Sequence, residues 1–184
     1  AAGVSLAALE LLTPALAARP EWTLVARLVG TADGVAAEAA QLDRASGVRW
    51  APLPAAAASA LWSLVARAPL EAELALRFGA LTDTLDHTMD LVIGTLGEGL
   101  LATGLGTGQL RWAGEADVAA LRGLRRRAAE REIPVTLERG SWPLRRAVGH
   151  FGAYREGVGL LVGRLRETFD PKGVIAVALE GADE

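Results

Sequence analysis

Two periodicities alternate along this chain. From Trp22 to Val29 every second residue is apolar on one face (Trp22, Leu24, Ala26, Leu28), which predicts a strand. Gly30 and Thr31-Ala-Asp33 end it and open a helix from Ala32 to about Ala45, closed by Ser46-Gly47. Val48-Arg-Trp50 reads as a short strand, and Ala55 to Arg67 as an alanine-rich helix with Leu61, Leu64 and Val65 inward, stopped by Pro69. Leu70 to Ala80 is the cleanest strand, with Ala72, Leu74, Leu76 and Phe78 on one side and Glu71, Glu73, Ala75 and Arg77 on the other. Such a strand suits a sheet with one solvated or ligand-facing surface.

Thr82 or Asp83 is placed to cap a helix running to Leu96. Leu100–Thr103 and Gln109–Trp112 read as two strands joined by Gly104-Leu-Gly-Thr-Gly108, a hairpin. A basic amphipathic helix follows from Glu115 to Arg131, with Val118, Leu121, Leu124 and Ala128 inward, and Pro134–Glu138 is a further strand. Near the end, Val158, Leu161, Val162, Leu165 and Phe169 recur at helical spacing up to Asp170-Pro171. This order is not strict parallel βαβ. It predicts an α+β fold: a mainly antiparallel sheet with helices packed on one face, ferredoxin-like and roughly duplicated. Residues 22–80 and 70–138 each carry a strand–helix–strand pattern, without a repeat in the residues themselves.

Composition narrows the function classes. With 184 residues and about half of them apolar, the chain can bury a core. A net charge of −3 gives no general attraction to nucleic acid or anionic membranes. The absence of cysteine excludes disulfides, thiolate metal sites and thiol nucleophiles, and fits a reducing cytoplasm. The alanine-rich start lacks a basic n-region and is interrupted by Glu10, unlike a signal peptide; with no initial Met, it reads as a cut into a longer protein. The longest apolar run, Leu91 to Leu110, is broken by Glu98 and several glycines and is no membrane span.

Few motifs carry chemistry. Gly104-Leu-Gly106-Thr-Gly108 lacks the Gly-Lys-Ser/Thr ending of a Walker loop and the third glycine and helix of a dinucleotide loop, so it reads as a turn. Asp83, Asp86, His87 and Asp90 could include an i, i+4 metal pair, but a solvated acidic face is the better reading, and no metal is expected. His150 stands without a second ligand or an acid partner and reads as structural. Arg122, Arg125, Arg126, Arg127 and Arg131 have no interleaved aromatic platform, which argues for a solvated helix face rather than nucleic-acid binding. Arg77, Arg111 and Arg139 lie on or just after strands, and Arg77 and Arg111 point off the core face by alternation. A small carboxylate ligand would suit their planar guanidinium forks, against the plainer reading of surface arginines.

The segment Arg164-Leu-Arg-Glu-Thr-Phe-Asp-Pro-Lys-Gly-Val-Ile175 resembles the C-terminal signature of FAD-linked oxidases of the vanillyl-alcohol-oxidase type. Ala7–Leu12 with Thr23–Gly30, and Gln109 through Gly140, resemble other segments of that family in the same order, so the likeness covers nearly the whole chain. The variety it is most similar to is the FAD-binding subunit of bacterial glycolate oxidase. The resemblance implies that residues 1–184 are a C-terminal cap, or substrate, domain whose partner is an N-terminal FAD domain absent from this chain. It implies oxidation of a small 2-hydroxy acid with hydride passing to the flavin, association with other glycolate-oxidase-type subunits, and a cytoplasmic location with membrane association only through those subunits. On this likeness Arg77, Arg111 and Arg139 are candidate substrate binders, and Asp170, Pro171, Lys172 and Gly173 a flavin-side turn. Relatives that oxidise D-lactate or D-2-hydroxyglutarate carry histidine motifs where this chain has Thr103–Arg111 and Leu137–Ser141, so neither their metal nor their base carries over. The tail departs too, with Ala176-Val-Ala-Leu in place of Asn-Pro-Gly. Two other readings stand beside it: a non-catalytic ferredoxin-like ligand-binding module, and a degenerate structural subunit of an oxidase complex.

Overall fold

The structure, a computed structural model, describes residues 4–154 and 157–174. Among them the strands are β1 (Ala8–Leu12), β2 (Thr23–Arg27), β3 (Leu74–Gly79), β4 (Leu100–Gly104), β5 (Gln109–Gly114) and β6 (Val135–Arg139). The helices are α1 (Pro14–Ala17), α2 (Ala32–Ser46), α3 (Ala55–Glu71), α4 (Leu85–Leu96), α5 (Val118–Ala129), α6 (Trp142–Val148) and α7 (Val158–Phe169). All six strands join one sheet in the order β2-β1-β4-β5-β3-β6, every neighbouring pair antiparallel. The α+β architecture read from the sequence is the observed one. β3 through β6 alone form a complete βαββαβ unit, with α4 and α5 as its crossovers, and the first half adds the β1–β2 hairpin and α1 to α3.

Alternation divides the sheet into two faces. Leu74, Leu76 and Phe78 of β3, Leu101 of β4, Leu110 and Trp112 of β5, and Val135 and Leu137 of β6 bury together against Leu91 and Val92 of α4, Leu121, Leu124 and Ala128 of α5, and Val148 of α6. Trp112 is the largest side chain wholly inside, and its indole N–H donates to the carbonyl of Gly97 at 3.0 Å. On the opposite face a smaller cluster packs Leu12, Val25 and Ala102 against Leu16 and Ala17 of α1 and Ala68 of α3. This second cluster covers only part of that face. The part left open carries Arg77 and Arg111.

Several local expectations change. Val48–Trp50 is not a strand: the backbone N–H of Trp50 donates to Asp43 Oδ1 and its indole N–H to Ser46 Oγ, folding the segment back on the end of α2. Pro69 does not end α3, which continues to Glu71; a bond from the Ala72 N–H to the Ala68 carbonyl and an Arg67–Glu71 ion pair close the last turn. The clean strand is correspondingly shorter than Leu70–Ala80, starting at Leu74. Neither Thr82 nor Asp83 caps α4; they belong to a 3-10 turn, Thr82–Thr84, and the helix begins at Leu85 without a side-chain cap. The glycine run is the hairpin turn between β4 and β5: Gly108 has φ +65°, and a Cβ there would meet the Ala80 carbonyl oxygen at 2.0 Å. α7 has the expected length, yet none of its residues is buried, and Leu160, Leu161, Leu165 and Phe169 are exposed. Ala176 and the residues after it lie outside the described ones.

Candidate functional site on the open sheet face

Arg77 and Arg111 are direct cross-strand partners in the β3–β5 ladder, so their side chains stand side by side on the face away from Trp112. Their row continues through Ala102 on β4 and Thr136 on β6. The adjoining row holds Glu10, Gly104, Gln109 and Gly79. Ala102, Thr136, Gly104 and Gly79 are the small neighbours in these two rows, and Glu10 and Gln109 the larger ones.

One carboxylate binds both arginines. Arg77 Nε lies 3.0 Å from Glu138 Oε1, and Arg111 Nε lies 3.3 Å from Glu138 Oε2. Arg111 also donates from Nη2 to Oε1 at 3.4 Å. The Arg77 contact is an ion pair off the hydrogen-bonding line, since its Nε has no aligned acceptor. The guanidinium side chains remain 42% and 44% exposed, so the cluster adds little stability, on the order of 1 kcal/mol or less per pair. Its effect is on placement: Glu138 holds the two guanidinium groups through its two oxygens and leaves the Nη groups of Arg77 without a hydrogen bond to any described residue.

A bulge sets the position of the third arginine. The β3–β6 register slips between Ala75 and Leu76, pairing Ala75 with Arg139 and Leu76 with Leu137 and leaving Glu138 as the extra residue. Without that slip Arg139 would share the buried face of Val135 and Leu137. With it, Arg139 sits on the Arg77 side, one row away and exposed, outside the Glu138 cluster.

Glu10, not a candidate from the sequence, joins this surface, while His150, read from the sequence as structural, lies beside β6 with its carbonyl accepting the Leu137 N–H. Burial raises the Glu10 pKa above its ordinary value, and the charge of Arg111 partly opposes the shift. Its Oε1 lies over Gly104, where a Cβ would stand 3.3 Å away and would collide with Thr107 Oγ1 at 2.4 Å. Only glycine leaves this space open. His150 lies within the field of Arg77 and Glu138, and burial first, then Arg145, Arg125 and Arg77, lower its pKa, with Glu138 acting the other way.

Arg125 corrects the reading of α5 as a solvated basic face. It is buried enough to pull its pKa down to about 10, and it donates to four successive carbonyls, those of Val148, Gly149, His150 and Phe151. Arg127 is likewise engaged, through Thr95 Oγ1 at 2.7 Å and the Gly123 carbonyl at 3.3 Å.

The turn Asp170–Gly173 follows α7 as the sequence suggests. Gly173 has φ +62°, its N–H donates to the Asp170 carbonyl at 3.0 Å, and the Val174 N–H donates to Asp170 Oδ1 at 2.7 Å. Both N–H groups are thus used within the turn.

A shallow groove of about 320 Å³ lies between α4 and α5, lined by His87, Asp90, Thr95, Arg127 and Arg131 among others. No three His, Asp or Glu residues among the described ones are grouped to hold a metal. No described helix is long and apolar enough to cross a membrane. Comparison with protein-family models, with curated proteins and with solved structures finds no match.

Proposed function

We propose that this chain is the cap, or substrate, domain of an FAD-dependent 2-hydroxy-acid oxidoreductase similar to the FAD-binding subunit of bacterial glycolate oxidase. The supporting observation is the Arg77–Arg111 pair, direct cross-strand partners on the open sheet face with side chains more than 40% exposed. Paired N–H forks match the two oxygens of a carboxylate. Glu138 occupies the same charges from one side, in the manner of a resident carboxylate, and sets the spacing a ligand meets. In this reading FAD is bound mainly by a separate N-terminal domain, and the redox chemistry is the cofactor's. This chain binds the acid and orients it over the flavin.

A second reading draws on α7. Its exposed stripe of Leu160, Leu161, Leu165 and Phe169 is the kind of surface that a subunit holding a partner would carry. In that case the domain is a degenerate structural subunit of an oxidase complex.

The protein produced from its native reading frame separates the two. A flavin absorption band that bleaches on adding glycolate or another 2-hydroxy acid, and fails to bleach in the R77M/R111M variant, supports the cap-domain reading. A flavin band that no 2-hydroxy acid bleaches, or that bleaches equally in the variant, supports the structural subunit. A colourless protein contradicts both.

A further inference from the structure

We propose that Phe151 is the specificity-determining residue of the open face, and that the carboxylate seated on Arg77 and Arg111 belongs to a 2-hydroxy acid with an apolar, ring-sized substituent that reaches across Thr136 to Phe151. The inference rests on the carboxylate reading of those two arginines and names the kind of acid they take.

The ladders set the arginines in a single row across the sheet. Leu12 of β1 faces Ala102 of β4, Ala102 faces Arg111 of β5, Arg111 faces Arg77 of β3, and Arg77 faces Thr136 of β6. After α6 the chain returns along the outer edge of β6 and adds a last member, Phe151, in an antiparallel bridge to Thr136. The Leu137 N–H donates to the His150 carbonyl and the Gly152 N–H to the Val135 carbonyl, both at 2.8 Å. These flanking bonds make Thr136 and Phe151 a non-hydrogen-bonded pair, whose side chains leave the backbone on the same face and close together. Phe151 therefore lies two strand spacings from Arg77, roughly 9–10 Å between Cα atoms, with only a threonine between them.

The surroundings of the arginines leave an apolar group one place to go. Leu12 and Ala102, at the far end of the row, are buried in the cluster with α1 and α3, and Ala75 and Ala113, two residues along β3 and β5, are buried as well. The row on the opposite side, Glu10, Gly104, Gln109 and Gly79, offers no apolar side chain. Toward the β6 edge Thr136 and Phe151 are both half-buried, so a ligand can still reach them. Phe151 is also held in place: its carbonyl accepts from Arg125 Nη1 at 2.9 Å, His150 stands edge-on to its ring with centroids 4.5 Å apart, and the Tyr154 ring lies 6.3 Å away. A ring laid over Thr136 meets an aromatic neighbour that is already ordered, which favours binding. Glycolate has no carbon beyond the one bearing its hydroxyl and stops at the arginines.

The test is isothermal titration of the 184-residue chain with 3-phenyllactate and with glycolate, beside NMR of the chain labelled at phenylalanine. 3-Phenyllactate should bind one-to-one and roughly 10- to 100-fold tighter than glycolate, the range for burying one ring against another. Of the three phenylalanines, Phe78 in the core and Phe169 on the exposed stripe of α7 should keep their signals, while those of Phe151 move along a saturable curve. F151A should abolish most of the preference for 3-phenyllactate, and T136F, which fills the step between arginine and ring, should weaken 3-phenyllactate more than glycolate. Glycolate binding with no preference for 3-phenyllactate overturns the proposal and spares the arginine site. So does a preference that survives in F151A, or one whose ring shifts fall on Phe169 instead of Phe151. Binding of neither acid removes the arginine site and this inference with it.

Discussion

The two faces of the central sheet are built from the same strands and differ in what their residues contribute. On one face Leu76, Phe78, Leu110 and Trp112 are sealed under α4 and α5. On the other, the residues between them, Arg77 and Arg111, stay more than 40% exposed and pair with a half-buried carboxylate. Apolar burial on the first face supplies stability. Solvent-screened charges on the second supply little stability and retain their capacity to bind. Substitutions separate these roles.

The largest effect belongs to the sealed face. W112A removes a wholly buried indole and its bond to Gly97, and should cost about 3–5 kcal/mol in denaturant unfolding. A loss below 1 kcal/mol would mean that Trp112 does not anchor the core. Next comes R125M, which leaves the carbonyls of residues 148–151 without their shared donor; a loss of about 1.5–3 kcal/mol is expected, with faster amide exchange at Leu137 and Gly152.

On the open face the sign reverses between stability and binding. R111M should change unfolding free energy by about 1 kcal/mol or less while weakening glycolate roughly 10- to 100-fold. E138Q should strengthen glycolate, because it withdraws the competing charge. If R111M instead unfolds the protein, the division between faces fails.

The smallest effect is a pH dependence with two opposed parts. The folded-state pKa of His150 is lowered below 6.5, so between the two values the unfolded chain binds a proton that the folded chain refuses. Stability therefore rises with pH through that window and is lost as pH falls. The folded-state pKa of Glu10 is raised above 4.5, so the folded chain holds the extra proton and stability declines as pH climbs from 4.5 through the raised value. Chemical-denaturation curves from pH 4 to pH 8 should show H150F flattening the first limb and E10Q the second.

How much of this was legible along the chain follows from the range of each cause. Period-two alternation is local, and it placed Leu74, Leu76 and Phe78 opposite Arg77 correctly. It also assigned Arg111 to the outward side of its strand. The partnership of Arg77, Arg111 and Glu138 depends on strand order, β5 beside β3 beside β6, which no local pattern specifies. The bulge at Glu138 inverts the parity of Arg139 in the same non-local way. β1 escaped notice as a strand because Ala8-Leu-Glu-Leu-Leu12 is short and does not alternate cleanly. α6 did carry a signal, Ser141 followed by Pro143, and the Ser141 side chain does accept the Leu144 N–H. Arg125 was hidden among neighbouring arginines, since its acceptors are backbone carbonyls more than twenty residues away.

The claim on which the account turns is that Arg77 and Arg111 together bind a small carboxylate. Isothermal titration of glycolate into the 184-residue chain, beside the R77M/R111M variant with its unfolding curve as a folding control, tests it most directly. The account predicts saturable one-to-one binding that disappears in a variant still folded. Equal binding by both proteins, or heat without saturation in either, would contradict it.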